Sequence, residues 1–132
     1  MRQEVYSGYL KLKGEEDDGT LWAALNYALN LKELHRFEEA KALLRRTLPV
    51  MRRVLGENDI LTLKMRWLYA RALLLPELLD TSATLDDLRE AVETLEETER
   101  IARRVFGGAH PNTTGIVTSL QVARAKLGAA NA

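Results

Sequence analysis

The sequence predicts an all-α protein of about five to six helices arranged as antiparallel pairs. Three observations lead there. A phrase recurs along the chain, apolar residues between the copies fall at helical spacing, and a glycine followed by a helix-capping residue closes each copy. Arg52-Arg53-Val54-Leu55-Gly56 returns as Arg103-Arg104-Val105-Phe106-Gly107, and a fainter copy ends at Gly14. The offset from Gly14 to Gly56 is 42, and Thr20/Thr62, Leu21/Leu63, Tyr27/Tyr69 and Leu31/Leu73 share it. From Gly56 to Gly107 the offset is 51, and Thr62/Thr113 and Val54/Val105 share it. The period is therefore 42, with nine extra residues in the second copy. Those fall near Pro76 to Thr84, a stretch of turn formers led by a proline, which predicts an inserted loop.

Each element follows from its apolar spacing. Residues 2–13 align with the end of a helix of the second type. Leu21, Leu25, Ala28 and Leu31/Leu34 predict a helix over roughly 18–34, and Phe37, Ala40, Leu44, Leu48, Met51 and Leu55 a second over roughly 37–55. Leu63, Trp67, Ala70 and Leu74 predict a third over roughly 60–75. Leu85, Leu88, Val92, Leu95, Ala102, Val105 and Phe106 predict a fourth over roughly 85–106; Ile116, Leu120, Ala123 and Leu127 predict a fifth over roughly 111–127. The spacing in the fourth also suits a short coiled-coil seam, but about three heptads are marginal for one, and membership of a repeat explains the same pattern. Pro49 lies inside the second predicted helix and removes its bond to the Arg45 carbonyl, so a local kink is expected there.

The junctions carry their own signals. Gly14, Gly56 and Gly107 each end an apolar run, where the residue after a helix takes a positive φ that glycine adopts without a Cβ clash. Asp17/Asp18, Asn58/Asp59 and His110 precede the next helices and can accept from an orphan backbone N–H. Pro111 suits a first helical turn, and Thr84 with Asp87 reads as a capping box. Arg52-Arg53 and Arg103-Arg104 sit in last turns, where cations complement the helix dipole.

Composition removes several function classes. Nineteen Lys and Arg balance nineteen Asp and Glu, so the chain lacks the basic surplus of a nucleic-acid binder and has no bulk attraction to anionic membranes. With no cysteine there is no disulfide, thiolate metal site or thiol nucleophile. The first residues lack an apolar signal-peptide core, and the apolar runs, such as Leu21 to Leu25 and Ala72 to Leu75, fall far short of the ~20 residues of a membrane span. A cytoplasmic protein is expected, and the sequon Asn112-Thr113-Thr114 reads as accidental. The two histidines, His35 at a turn and His110 at a cap, stand far apart in the sequence without a catalytic or metal-binding motif around either. No phosphate loop or nucleophile elbow occurs. Glu15 to Asp18 and Glu96-Glu97-Glu99 lack calcium-loop spacing and read as solvated faces. The expectation is a non-enzyme with no cofactor and no metal.

Phe37-Glu38-Glu39-Ala40, the junction glycines after Leu55 and Phe106, and His110-Pro111 with Thr113 together resemble the tetratricopeptide repeat (TPR) of the kinesin-light-chain type. The resemblance spans essentially the whole chain and implies a right-handed α-α superhelix. The array then covers 1–132. Residues 1–14 are the end of a preceding helix B, 15–56 are repeat 1, 57–107 are repeat 2 with its insertion near 76–84, and 108–132 hold helix A of a partial repeat. His35 stands where the family usually has glycine, and of the family's helix A asparagines Asn26 is kept while its equivalents are Leu68 and Ser119. The heptad segment of a light chain is absent, so a motor-subunit role is not implied.

In such a stack the helix A faces line a concave groove that takes an extended peptide or a partner's helix, with partners that are proteins, peptides or further repeats of the same array. Counting one turn each way from Asn26 gives Trp22 and Asn30; the next helix A contributes Lys64, Leu68 and Ala72, with Arg71 beside them. Trp22 suits either the core or a ligand platform. Lys64, Arg66 and Arg71 make that helix basic, so the groove is expected to favour an acidic residue next to a hydrophobic anchor. The alternative is an architectural segment of a longer array or larger assembly without its own peptide ligand. Exposed apolar side chains at Val117, Val122 and Leu127 on the last helix would then call for a covering partner.

Overall fold

The computed structural model describes residues 2–78 and 85–131. Among them every regular element is an α-helix: α1 (Arg2–Lys13), α2 (Asp18–Glu33), α3 (Phe37–Val54), α4 (Ile60–Leu78), α5 (Leu85–Phe106) and α6 (Pro111–Asn131). The chain divides into two compact units, Met1–Met65 and Arg66–Ala132. In the first, α2 packs against both α1 and α3; in the second, α5 packs against α6.

Five helices keep the starts and ends that periodicity predicts to within a residue or two, apart from the end of α6, which runs on to Asn131 through Gly128-Ala129-Ala130. The fourth element, α4, corrects the loop expected from Pro76. Its backbone stays helical to Leu78, because a proline forfeits one bond and a helix can absorb that loss, as α3 does in remaining helical on both sides of Pro49. The rest of the expected insertion, with the capping box led by Thr84, lies outside the described residues.

The chain reverses at three equivalent junctions, each built from the same parts. Gly14, Gly56 and Gly107 have φ of 83°, 91° and 89°, as the sequence requires of them. Three residues later stands a side chain that caps the next helix. Asp17 Oδ2 accepts from the Gly19 and Thr20 amides at 2.9 and 3.3 Å, Asp59 Oδ1 from Leu61 at 2.8 Å, and His110 Nδ1 from Asn112 at 3.0 Å. The third part is a buried threonine: Thr20, Thr62 and Thr113 are all at or below 1% exposure. The Thr113 hydroxyl donates to the Ala102 carbonyl of the preceding helix at 3.4 Å, whereas the Thr20 and Thr62 hydroxyl oxygens are buried without a hydrogen-bond partner. The arginine pairs belong to these junctions too. Arg52 pairs with Glu57 and Arg53 with Glu16, while Arg103 reaches back to Glu99.

The turn between α2 and α3 departs from the glycine rule. His35 holds φ at 58° with a full side chain, and its ring stacks on Phe37 at a centroid distance of 5.5 Å. After it, Arg36 hydrogen-bonds Glu39 in the first turn of α3, which holds the exposed Glu39 carboxyl below the usual carboxylate range and raises the guanidinium.

The buried stripe of helix A repeats at period 42. Leu21, Ala24, Ala28 and Leu31 on α2 are equivalent to Leu63, Arg66, Ala70 and Leu73 on α4, and all eight are buried. The helix B positions match as well. Thr47 and Thr98 are both buried and each bonds the carbonyl four residues earlier, at 2.7 and 2.6 Å. Arg66 is the exception to an apolar stripe. It is 1% exposed and pairs with Glu97 on α5 at 3.3 Å.

Two stability outcomes follow from the junctions and the turn. His35→Gly removes a left-handed backbone strain worth roughly 1 kcal/mol and loses one exposed ring stack, so a net gain of about 0.5 kcal/mol is expected in urea melts. Thr62→Val exchanges an unsatisfied buried hydroxyl for a methyl and should stabilise by about 1 kcal/mol, whereas Thr113→Val breaks a bond and should be neutral or destabilising. Equal shifts for both valine variants would show that the two hydroxyls are in the same state.

Candidate functional site

The second unit contains a cleft of about 410 Å³ between α4 and α6. Trp67, Arg71 and Leu74 form its α4 wall; Gly115, Ser119 and Val122 form most of its α6 wall. These positions sit one helical turn apart on each helix, so each wall is a single stripe.

Trp67 organises the site. Its Nε1 donates to the Ser119 hydroxyl at 3.0 Å, which fixes the ring in its plane. The ring lies so close over α6 that a Cβ at Gly115 would come within 2.5 Å of the indole, so residue 115 must lack a side chain for the ring to rest there. On the open side the Arg71 guanidinium carbon stands 5.9 Å from the Trp67 ring centroid, within the range of cation–π attraction. Arg71 itself is exposed, Leu74 is buried, and Val122 is half-buried. The cleft therefore offers an ordered cation beside an aromatic face and an aliphatic lining. That combination suits a carboxylate next to an apolar side chain.

The residues expected to line a groove are distributed as follows. On α2, Trp22 is 51% exposed, Asn26 is exposed and Asn30 half-buried, so Trp22 lies outside the core of its unit. On α4, Lys64 and Arg71 are exposed, while Leu68 is 5% exposed and contributes to the core. Of the six, Arg71 is the one that lines the α4–α6 cleft. The third cation of the basic helix, Arg66, is turned inward to Glu97.

Trp67, Gly115, Ser119 and Val122 were not among the expected lining residues. Two of them carry a signal. Gly115 and Ser119 are the equivalents, two copies on, of Trp22 and Asn26, at the same helix A positions. Trp67 carries none of that kind, because its helical spacing with Leu63, Ala70 and Leu74 is the spacing of a core residue.

His35 and His110 have the roles of turn and cap. Among the described residues no group of three His, Asp or Glu side chains is placed to hold a metal ion, and no helix is long and apolar enough to cross a membrane.

Helix pairs repeating at period 42, with junctions of one construction, define an all-α helical-repeat protein. Residues 20–60 match the family model of the tetratricopeptide repeat, which takes in α2, α3 and the junction after them. Repeats of that family generally mediate protein–protein interaction and are not catalytic. No curated protein matches the chain.

The clamp on Trp67 gives a direct test. Gly115→Ala gains about 1 kcal/mol of helix propensity and loses a similar amount as the indole is displaced from Ser119, so overall stability should change by less than about 1 kcal/mol. The emission of Trp67, read in a Trp22→Phe background where it is the sole tryptophan, should shift to the red. An unchanged spectrum would mean that the ring does not rest on Gly115.

Proposed function

We propose that the chain is a non-catalytic protein–protein interaction module of the cytoplasm, and that the α4–α6 cleft receives an extended segment of a partner bearing an acidic residue beside an apolar anchor. What carries the proposal is the placement of Arg71 over Trp67 at the mouth of the cleft. A guanidinium already held in place loses little freedom on meeting a carboxylate, and the Leu74 and Val122 side chains can take the anchor. Trp22 and Asn26, exposed on α2, form a second contact patch in the first unit, flanked by Asn30. Lys64 on α4 adds positive charge. The period of 42, the Phe37-Glu38-Glu39-Ala40 start of α3 and the His110-Pro111 junction favour the kinesin-light-chain type of repeat.

The architectural alternative gains less support. The stripe that is buried on α2 and α4 becomes Thr114, Val117, Gln121 and Arg124 on α6, three of them polar and exposed. Val117, Val122 and Leu127 are each half-buried, so the last helix presents no large apolar face that calls for cover.

Peptides carrying Glu or Asp next to Phe or Leu, titrated against the Trp22→Phe protein, should change Trp67 emission saturably. Arg71→Glu should weaken that binding at least about tenfold, equivalent to roughly 1.4 kcal/mol, and replacing the peptide's acid by lysine should do the same. If Arg71→Glu binds as tightly as its parent, the cleft is not the site.

A further inference from the structure

We propose that the first unit binds one internal water molecule between α2 and α3, as a fixed part of its core. The site is a cavity of about 10 Å³, the room that a single water needs. Thr20 and Thr47 line it, with Ala24 and Val50 among its apolar walls. Glu15 and Arg46, both exposed, line its outer side.

The hydrogen bonding of the lining points to water. Thr20 is 1% exposed, and its hydroxyl oxygen is buried without a partner in the protein. A hydroxyl shut away in that state is costly, and internal waters occur where such groups border a cavity of their size. Thr47 gives its own hydrogen to the Leu43 carbonyl at 2.7 Å. The Thr47 oxygen therefore has only lone pairs to offer. A water accepts the hydrogen of the Thr20 hydroxyl and donates one of its own to Thr47. The Glu15 carboxylate on the outer side takes the second. Three bonds are the usual complement of an internal water.

The other copy of the repeat carries a side chain where the first unit has room. Ala24 corresponds to Arg66 by the offset of 42, and Arg46 to Glu97 and Thr47 to Thr98 by the offset of 51. Arg66 is 1% exposed, and its guanidinium meets Glu97 at 3.3 Å. Thr98, like Thr47, gives its hydrogen to the carbonyl four residues earlier. One repeat position thus has two fillings. With arginine on helix A and an acid on helix B, a guanidinium goes inside. With alanine on helix A and the arginine on helix B, solvent completes the polar interior. Thr62, the equivalent of Thr20, has the long Arg66 side chain one turn on, where Thr20 has a methyl group.

Oxygen-17 magnetic relaxation dispersion of the intact chain tests the proposal, because it counts long-lived internal waters and is blind to exchanging hydroxyl protons. The wild-type protein should show at least one such water. Ala24→Arg combined with Arg46→Glu moves the ion pair of the second copy into the first unit and should lower the amplitude by one water. A flat wild-type profile overturns the proposal. So does an amplitude left unchanged by the double variant when circular dichroism shows that variant folded. Thr20→Val decides without filling the cavity, and serves alone should the double variant not fold. It takes from the water its donor, so the urea midpoint should fall or stay level while that of Thr62→Val rises. A Thr20→Val midpoint raised as far as that of Thr62→Val means that no water serves the Thr20 hydroxyl, and overturns the proposal.

Discussion

The structure depends on one constraint, the tight reversal of the chain at a helix end. Such an end leaves carbonyls and amides without partners, and burying it without satisfying them would undo the gain from packing. This chain meets the constraint three times with the same set: a glycine at positive φ, a capping side chain three residues on, and a threonine sealed beneath. Because the set is local, it recurs wherever its residues recur, and the buried stripe of α2 recurs on α4. Packing within a unit is thus downstream of the turn.

The junctions also explain the repeated arginines. Placed in last turns they favour the negative end of the helix, and they are tied by ion pairs to nearby acids. Exposed pairs of this type add little to stability. Arg52 and Arg53 set positive charge beside Glu57 and Glu16 at the junction after α3.

Helix limits were legible in the sequence because they rest on local chemistry: spacing, caps and glycine. The site was less so. α4 is apolar around most of its circumference, with Leu63, Met65, Leu68, Tyr69, Leu73 and Leu74 all buried, so periodicity alone cannot say which stripe faces a cleft. Leu68 follows Asn26 by one period, yet it lies in the core. Trp67, spaced as a core residue, became part of the cleft's α4 wall because a glycine on another helix makes room for it. That is a relation between α4 and α6, with the whole of α5 between them in the chain, and no local window of sequence contains it. The buried Arg66 is of the same kind, since its charge is met by Glu97 from another helix.

The polar stripe of α6 has a consequence for how its face can be changed. Between a helix that asks for a neighbour and one that does not, the difference at Thr114, Gln121 and Arg124 is three side chains on an unchanged backbone. A change of those three residues to leucine or alanine would give α6 the apolar stripe that α2 carries, with no change of backbone. On this scaffold, whether a helix face is wet or sealed is decided by a few letters.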